Sequence, residues 1–147
     1  MSGAPGTGDP EVWSLEIGSI IGEADIHLTR DSLVRYAGAS GDFNAIHYRD
    51  DVARQVGLPG VLAHGMLTMG VAVQCVLDWV ADPSRILDYG VRFTRPVVVD
   101  PVSGTSITVV AKVGVVDAEA GEARIDLTVT SGGQTVLGKA QVRVSIR

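Results

Sequence analysis

Only one cysteine, Cys75, occurs in the 147-residue chain, so there is no intrachain disulfide framework and no Cys pair to hold a metal. That cysteine usage reads as a reducing, cytoplasmic setting. The stretch Met1–Pro10 lacks the basic start and apolar run of a secretory signal. It is rich in Gly, Pro and small polar residues with almost nothing to bury, which reads as a disordered lead before one domain over residues 11–147. Charge is sparse: 20% of residues are charged, and 12 basic against 17 acidic residues leave a net charge of −5. With no Lys/Arg cluster to track a phosphate backbone, nucleic acid is excluded as an expected partner. The longest apolar run, Gly65–Val80, is interrupted by Gln74 and Asp78 and falls short of the roughly 20 residues of a membrane span.

The chain is otherwise 46% apolar with a mean hydropathy of +0.26, the composition of a folded protein with surface to spare for a subunit interface. Periodicity divides it into a helical first half and a β-rich second half, the change falling between Trp79 and Arg85. Thr29 caps a helix predicted from Arg30 to about Gly38, with Leu33, Tyr36 and Ala37 on its buried side. Ser40–Tyr48 breaks the pattern. A short helix is expected over Asp50–Val56, capped by Asp and closed by Gly57. Gly65–Val80 is apolar nearly all round, which predicts one buried helix with Met66, Met69, Cys75 and Trp79 in the core.

Beyond it the period is two. Ile107, Val109, Ala111, Val113 and Val115 share one parity. Ala123, Ile125, Leu127 and Val129 share another, as do Val136, Gly138, Ala140, Val142, Val144 and Ile146. These are three one-faced strands, joined through Asp117–Gly121 and Ser131–Gln134 as antiparallel hairpins. Further strands are expected over Leu87–Thr94 and near Ile20–Leu28. The class is α+β.

The irregular stretch Tyr36-Ala-Gly-Ala-Ser-Gly-Asp-Phe-Asn-Ala-Ile-His47 places an acid, an amide and an imidazole in a glycine-rich loop. Asp42 and His47 are five residues apart, so a turn between them brings both side chains to one point, where they can hold a water. Taken singly, Asp42 and Asn44 fit Asx-turns, His47 a helix cap, His64 a loop brace and His27 a strand residue. Asp42, His47 and His64 are also a legitimate zinc set, which nothing in their spacing requires. Calcium is excluded, because Ile46 stands where an oxygen ligand belongs and no glutamate closes the loop.

Gly41-Asp42-Phe43-Asn44-Ala45-Ile46-His47 resembles the signature of the MaoC-like (R)-specific hydratases and dehydratases, Gly-Asp-x-Asn-Pro-aliphatic-His, with Ala45 in place of proline. Ala63-His64-Gly65-Met66 resembles the element that precedes the family's central helix. The run His64 to Gly70 is similar to catalytic subunits of actinobacterial 3-hydroxyacyl-carrier-protein dehydratases. The resemblance implies a hotdog fold, an antiparallel sheet wrapped around the central helix. It implies reversible hydration of 2-enoyl thioesters of coenzyme A or acyl-carrier protein to (R)-3-hydroxyacyl products, without metal or redox cofactor. Asp42 and His47 are then the catalytic pair, their acid and base roles still open because the two titrations are coupled. Gly65 N–H is the donor to the thioester oxygen and Asn44 orients the pair.

Two other readings stay open on the residues alone: a hotdog acyl-CoA thioesterase, and an acyl-binding subunit of a heterodimeric dehydratase. Open strand edges predict a dimer whose sheets join edge to edge, with an identical copy or a sister hotdog subunit. Arg35, Arg49, Arg54, Arg92 and Arg95 read as surface charge, one or two of them suited to coenzyme or carrier-arm phosphates.

Overall fold

A computed structural model describes residues 14–147 of the chain. The lead expected over Met1–Pro10 lies outside them. In chain order the elements are β1 (Ile20–Leu28), α1 (Arg30–Ser40), α2 (Asp50–Gln55), α3 (Gly65–Ala72), α4 (Gln74–Val80), β2 (Ile86–Phe93), β3 (Thr105–Asp117), β4 (Glu122–Ser131) and β5 (Gln134–Ser145). Single 3-10 turns occupy Ala45–His47 and Pro83–Arg85. The five strands form one antiparallel sheet in the order β1-β3-β4-β5-β2.

Alternation decides the register. Val109 faces Val129, Ala111 faces Leu127 and Val113 faces Ile125, while Ile125 also faces Val142. All are buried, and a one-residue slip would turn each of them out to water. Gly132 and Gly133, at φ 57° and 75°, make the two-residue turn between β4 and β5. Positive φ at both positions suits the turn to the right-handed twist of the strands it joins.

Bulges break the parity, one of them in β3 and another in β5. Between Val113 and Val115 the register with β4 shifts, so Val115, expected inside, is 42% exposed and Val116 packs toward the core instead. Gly114 leaves room there for the Arg124–Asp126 ion pair, against which any Cβ would collide. Near Gly138 and Lys139 (φ 43°) β5 gains a residue relative to β4. Leu137 is therefore buried, and Gly138, expected on the inner parity, is only half-buried.

The buried face of the sheet closes on Ala72, Val76, Trp79 and Val80 of α3 and α4. Burying each larger aliphatic side chain contributes roughly 1.5–3 kcal/mol, which sets where the helices must lie. The single helix expected over Gly65–Val80 is two, because its ladder is interrupted at Val73. The Tyr89 hydroxyl donates to the Met69 carbonyl at 2.7 Å, and the Gln74 side chain takes the Gly70 carbonyl at 3.2 Å. Nor is the helix buried all round. Met66, Gly70, Gln74 and Asp78, four residues apart along one side, are exposed, and Met69 and Cys75 are half-buried.

Two devices hold the first half against this core. Gly41 (φ 75°) ends α1 with its N–H on the Ala37 carbonyl. The Arg30 guanidinium donates to both carboxylate oxygens of Asp50, at 2.9 and 3.1 Å, and to the Val99 carbonyl at 2.7 Å. Asp50 thus braces α1 against α2 and is itself the first residue of α2, where an Asp cap was expected. That ion pair holds its carboxyl below the ordinary carboxylate range.

Candidate active site

The loop after α1 is a chain of local hydrogen bonds. Asp42 N–H donates to Ser40 Oγ (3.1 Å), Asn44 N–H to Asp42 Oδ1 (3.1 Å) and Ile46 N–H to Asn44 Oδ1 (3.3 Å). Successive side-chain turns of this kind bend the backbone without help from a neighbouring element. They also close the turn without the proline that Ala45 replaces. Asp42 makes the Asx-turn with one oxygen and keeps the other for His47, whose Nε2 lies 4.0 Å away.

His47 is fixed from its other side. Its Nδ1 meets the Leu62 carbonyl at 2.7 Å. A carbonyl oxygen only accepts, so Nδ1 bears the proton and Nε2 of the neutral ring presents a lone pair toward Asp42. The Leu62 carbonyl is a rigid partner, since Leu62 N–H donates to Ile46 O, and its neighbours Val61 and Ala63 bond to Val99 and Val97. His47 is nearly buried, whereas the Asp42 side chain is half exposed.

His64 stands immediately before α3 and is 1% exposed. Its ring stacks on that of His47 (centroids 3.9 Å apart, planes 24° apart) and meets the edge of Tyr36. The Asp42, His47 and His64 donor atoms lie within 4.8 Å of one another. Near-parallel stacked rings direct their in-plane lone pairs past one another, whereas a tetrahedral ion requires them to converge.

A cleft of about 280 Å³ opens beside His47, walled by Gly65, Thr68, Phe93, Arg95 and Leu137 among others. Gly65 begins α3, so its N–H has no partner within the helix and lies at the positive end of the helix dipole. A Cβ at Gly65 would come within 2.9 Å of the Phe93 ring, so glycine is what lets Phe93 and the helix terminus share this wall.

The sequence-predicted residues therefore fall into two groups. Asp42 and His47 come together, and His47 and Gly65 line one cleft. The Asn44 amide oxygen is spent on the turn, so its expected orienting action reaches Asp42 through its backbone N–H. Arg49 pairs with Asp51 at 2.6 Å and Arg35 with Asp31 at 3.8 Å, away from the cleft, which only Arg95 of the five arginines lines. His27 is an exposed strand residue near Ser106. Leu62, Thr68 and Phe93 were not legible as site residues: Leu62 acts through a carbonyl, which every residue has, and the other two read as ordinary helix and strand positions.

A family model described as a MaoC like domain matches residues 16–131. The chain belongs to the MaoC-like family. Among relatives of this MaoC-like chain, the 3-hydroxyacyl-thioester dehydratase X of Mycobacterium tuberculosis is 35% identical over 81 residues, which are 55% of this chain and 28% of that protein. A solved MaoC-like dehydratase superposes with a TM-score of 0.86 at 32% identity, covering 90% of this chain and 41% of the other. The R-hydratase PhaJ1 from Pseudomonas aeruginosa gives 0.73 at 26% identity, covering 88% and 81%. The chain thus spans less than half the length of the first two. The sheet and its enclosed helices match these structures as a hotdog fold, as the motifs implied. Among the described residues no helix is long and apolar enough to cross a membrane.

Proposed function

We propose that this MaoC-like domain, taken as one unit over residues 11–147, adds water reversibly to 2-enoyl thioesters to give 3-hydroxyacyl thioesters, the (R) hand following from the family resemblance. The observation that carries the proposal is the 4.0 Å gap between Asp42 Oδ2 and His47 Nε2, with His47 Nδ1 held on the Leu62 carbonyl. One water spans that gap with a hydrogen bond to each side. Its oxygen attacks C3 while Nε2 of His47 takes one of its protons, and charge gathers on the thioester oxygen opposite the Gly65 N–H. The imidazolium then returns the proton to C2, so the sum is one water added. The Asp42 carboxylate holds the attacking water and offsets the charge on His47 while it carries the proton.

The acyl thioester would come from coenzyme A or a carrier protein, with Arg95 at the cleft the best-placed cation for its phosphates. A dimer, with an identical or a sister subunit, would cover an outer edge of β1 or β2. The single half-buried Cys75 suits a cytoplasmic setting.

The test follows the loss of enoyl-thioester absorbance when the purified chain is mixed with short and long 2-enoyl-CoA. Activity lost in Asp42→Asn is the expected result. Free thiol released instead of hydrated product would make the protein a thioesterase. No reaction alone but turnover with a sister hotdog chain would give it a subunit's role.

A further inference from the structure

His64 touches both members of the proposed pair, and no step of the reaction uses it. Its Nε2 lies 3.2 Å from the main-chain oxygen of Asp42, and its ring face covers that of His47 at 3.9 Å. Because the Asp42 carbonyl can only accept, Nε2 bears the proton. Nδ1 is then a bare acceptor, and it is buried without a hydrogen-bond partner. An orphaned buried nitrogen of this kind is uncommon in folded proteins and requires a reason.

We infer that His64 is a positioning residue for the Asp42–His47 pair, a ring that sets the Asp42 backbone by a hydrogen bond and the plane of His47 by stacking. This rests on the hydratase reading above. The reason for the orphaned Nδ1 is that no other side chain of this size supplies both contacts, the indole of tryptophan being much larger. Phenylalanine or tyrosine offers the flat face without an N–H at that point, and glutamine offers the N–H without the face. A histidine does both and leaves one nitrogen over.

Neutrality follows from the surroundings. The groups that face His64 are Asp42, His47 and Tyr36, and its own helix presents no charge to it. Burial pushes its pKa down, and the neighbouring His47 acts in the same direction, while Asp42 opposes through its carbonyl and its charge. A cation at His64 would repel the imidazolium that His47 becomes when it takes the proton from water. A neutral ring lets that charge form.

The experiment uses the full chain with a short 2-enoyl-CoA as probe, comparing His64→Gln, which keeps an N–H donor, with His64→Phe, which keeps the ring. Each is expected to lower kcat at least tenfold with KM within about threefold, at unchanged circular dichroism. On the unaltered chain, nitrogen-15 NMR of the histidines is expected to show His64 as the neutral Nε2–H form at pH 7 and still at pH values below the ordinary histidine range. Folded variants with kcat within twofold of the parent would overturn the positioning role, and so would a His64 protonated at pH 7 or carrying its proton on Nδ1. The NMR arm decides even where both variants fail to fold. An unaltered chain that leaves 2-enoyl-CoA untouched both alone and with a sister hotdog chain would overturn the functional reading itself, a different result from active parent and active variants.

Discussion

The Tyr89 hydroxyl, on β2, donates to the carbonyl of Met69 in α3 at 2.7 Å. A carbonyl in mid-helix ordinarily receives the N–H four residues on, so this bond accompanies the break at Val73 and fastens the helix to the sheet at one point. Burial pushes the Tyr89 hydroxyl up to about 12. Its folded pKa is thus raised, and the stability linked to it is complete below the ordinary tyrosine value of 10.0 and is lost as pH rises through about 12. Tyr89→Phe is expected to cost about 1 kcal/mol at pH 8 and to flatten the loss of stability between pH 10 and about pH 12, as read by urea denaturation.

Asp42→Asn and His47→Gln each remove one side of the gap proposed to hold the attacking water. Both are expected to keep the fold, because the amide oxygen left at position 42 can still accept from the Asn44 N–H and His47 is not a core aliphatic. Each lowers kcat by about 10²–10⁴-fold, the usual contribution of a positioned acid or base, with little change in KM. Steady-state hydration rates at saturating enoyl-CoA provide the check, and a variant within twofold of the parent would remove that residue from the chemistry.

Gly65→Ala places a methyl within 2.9 Å of the Phe93 ring. The ring end can swing, so the fold survives, but the wall next to the proposed oxyanion donor is displaced. A fall in kcat/KM of about tenfold is expected, on the scale at which small misplacements cost rate. Phe93→Ala in the same chain restores part of it. If the double variant is no better than the single, Phe93 is not the cause.

Arg30 holds the Asp50 carboxyl below its ordinary value of 3.8 through two hydrogen bonds. The sign for a depressed carboxylate is that its stabilisation is present above 3.8 and fades as pH falls toward the lower folded value. Arg30→Met should therefore be less stable than the parent at pH 7, with the difference narrowing toward pH 3. A gap between the urea midpoints that stays constant across that range would refute the coupling.

Much of this architecture is legible in residues alone. β1 runs over Ile20–Leu28 as its pattern predicts, β2 lies within a residue of Leu87–Thr94, and the hairpin glycines sit where the turns are. These features are local, set by period-two alternation and by which residues tolerate positive φ. The bulge at Gly114 and the one by Lys139 escaped because a bulge depends on how two strands pair, and alternation in one strand carries no record of the other. The exposure of Met66 escaped for a related reason: a helix apolar on all sides does not say how much of it one sheet can cover.

At the site, residue types and spacing marked Asp42 and His47 as a possible pair and Gly65 as the first residue of a helix. Those are properties of a seven-residue loop and of a helix start, and nearby residues determine them. That the pair is 4.0 Å apart, that a carbonyl from Leu62 chooses the tautomer of His47, and that His64 stacks on it were decided only by the fold. The last two join segments 15 or more residues apart and together fix the His47 ring on which the 4.0 Å gap depends, so only packing the sheet against its helices could bring the partners together.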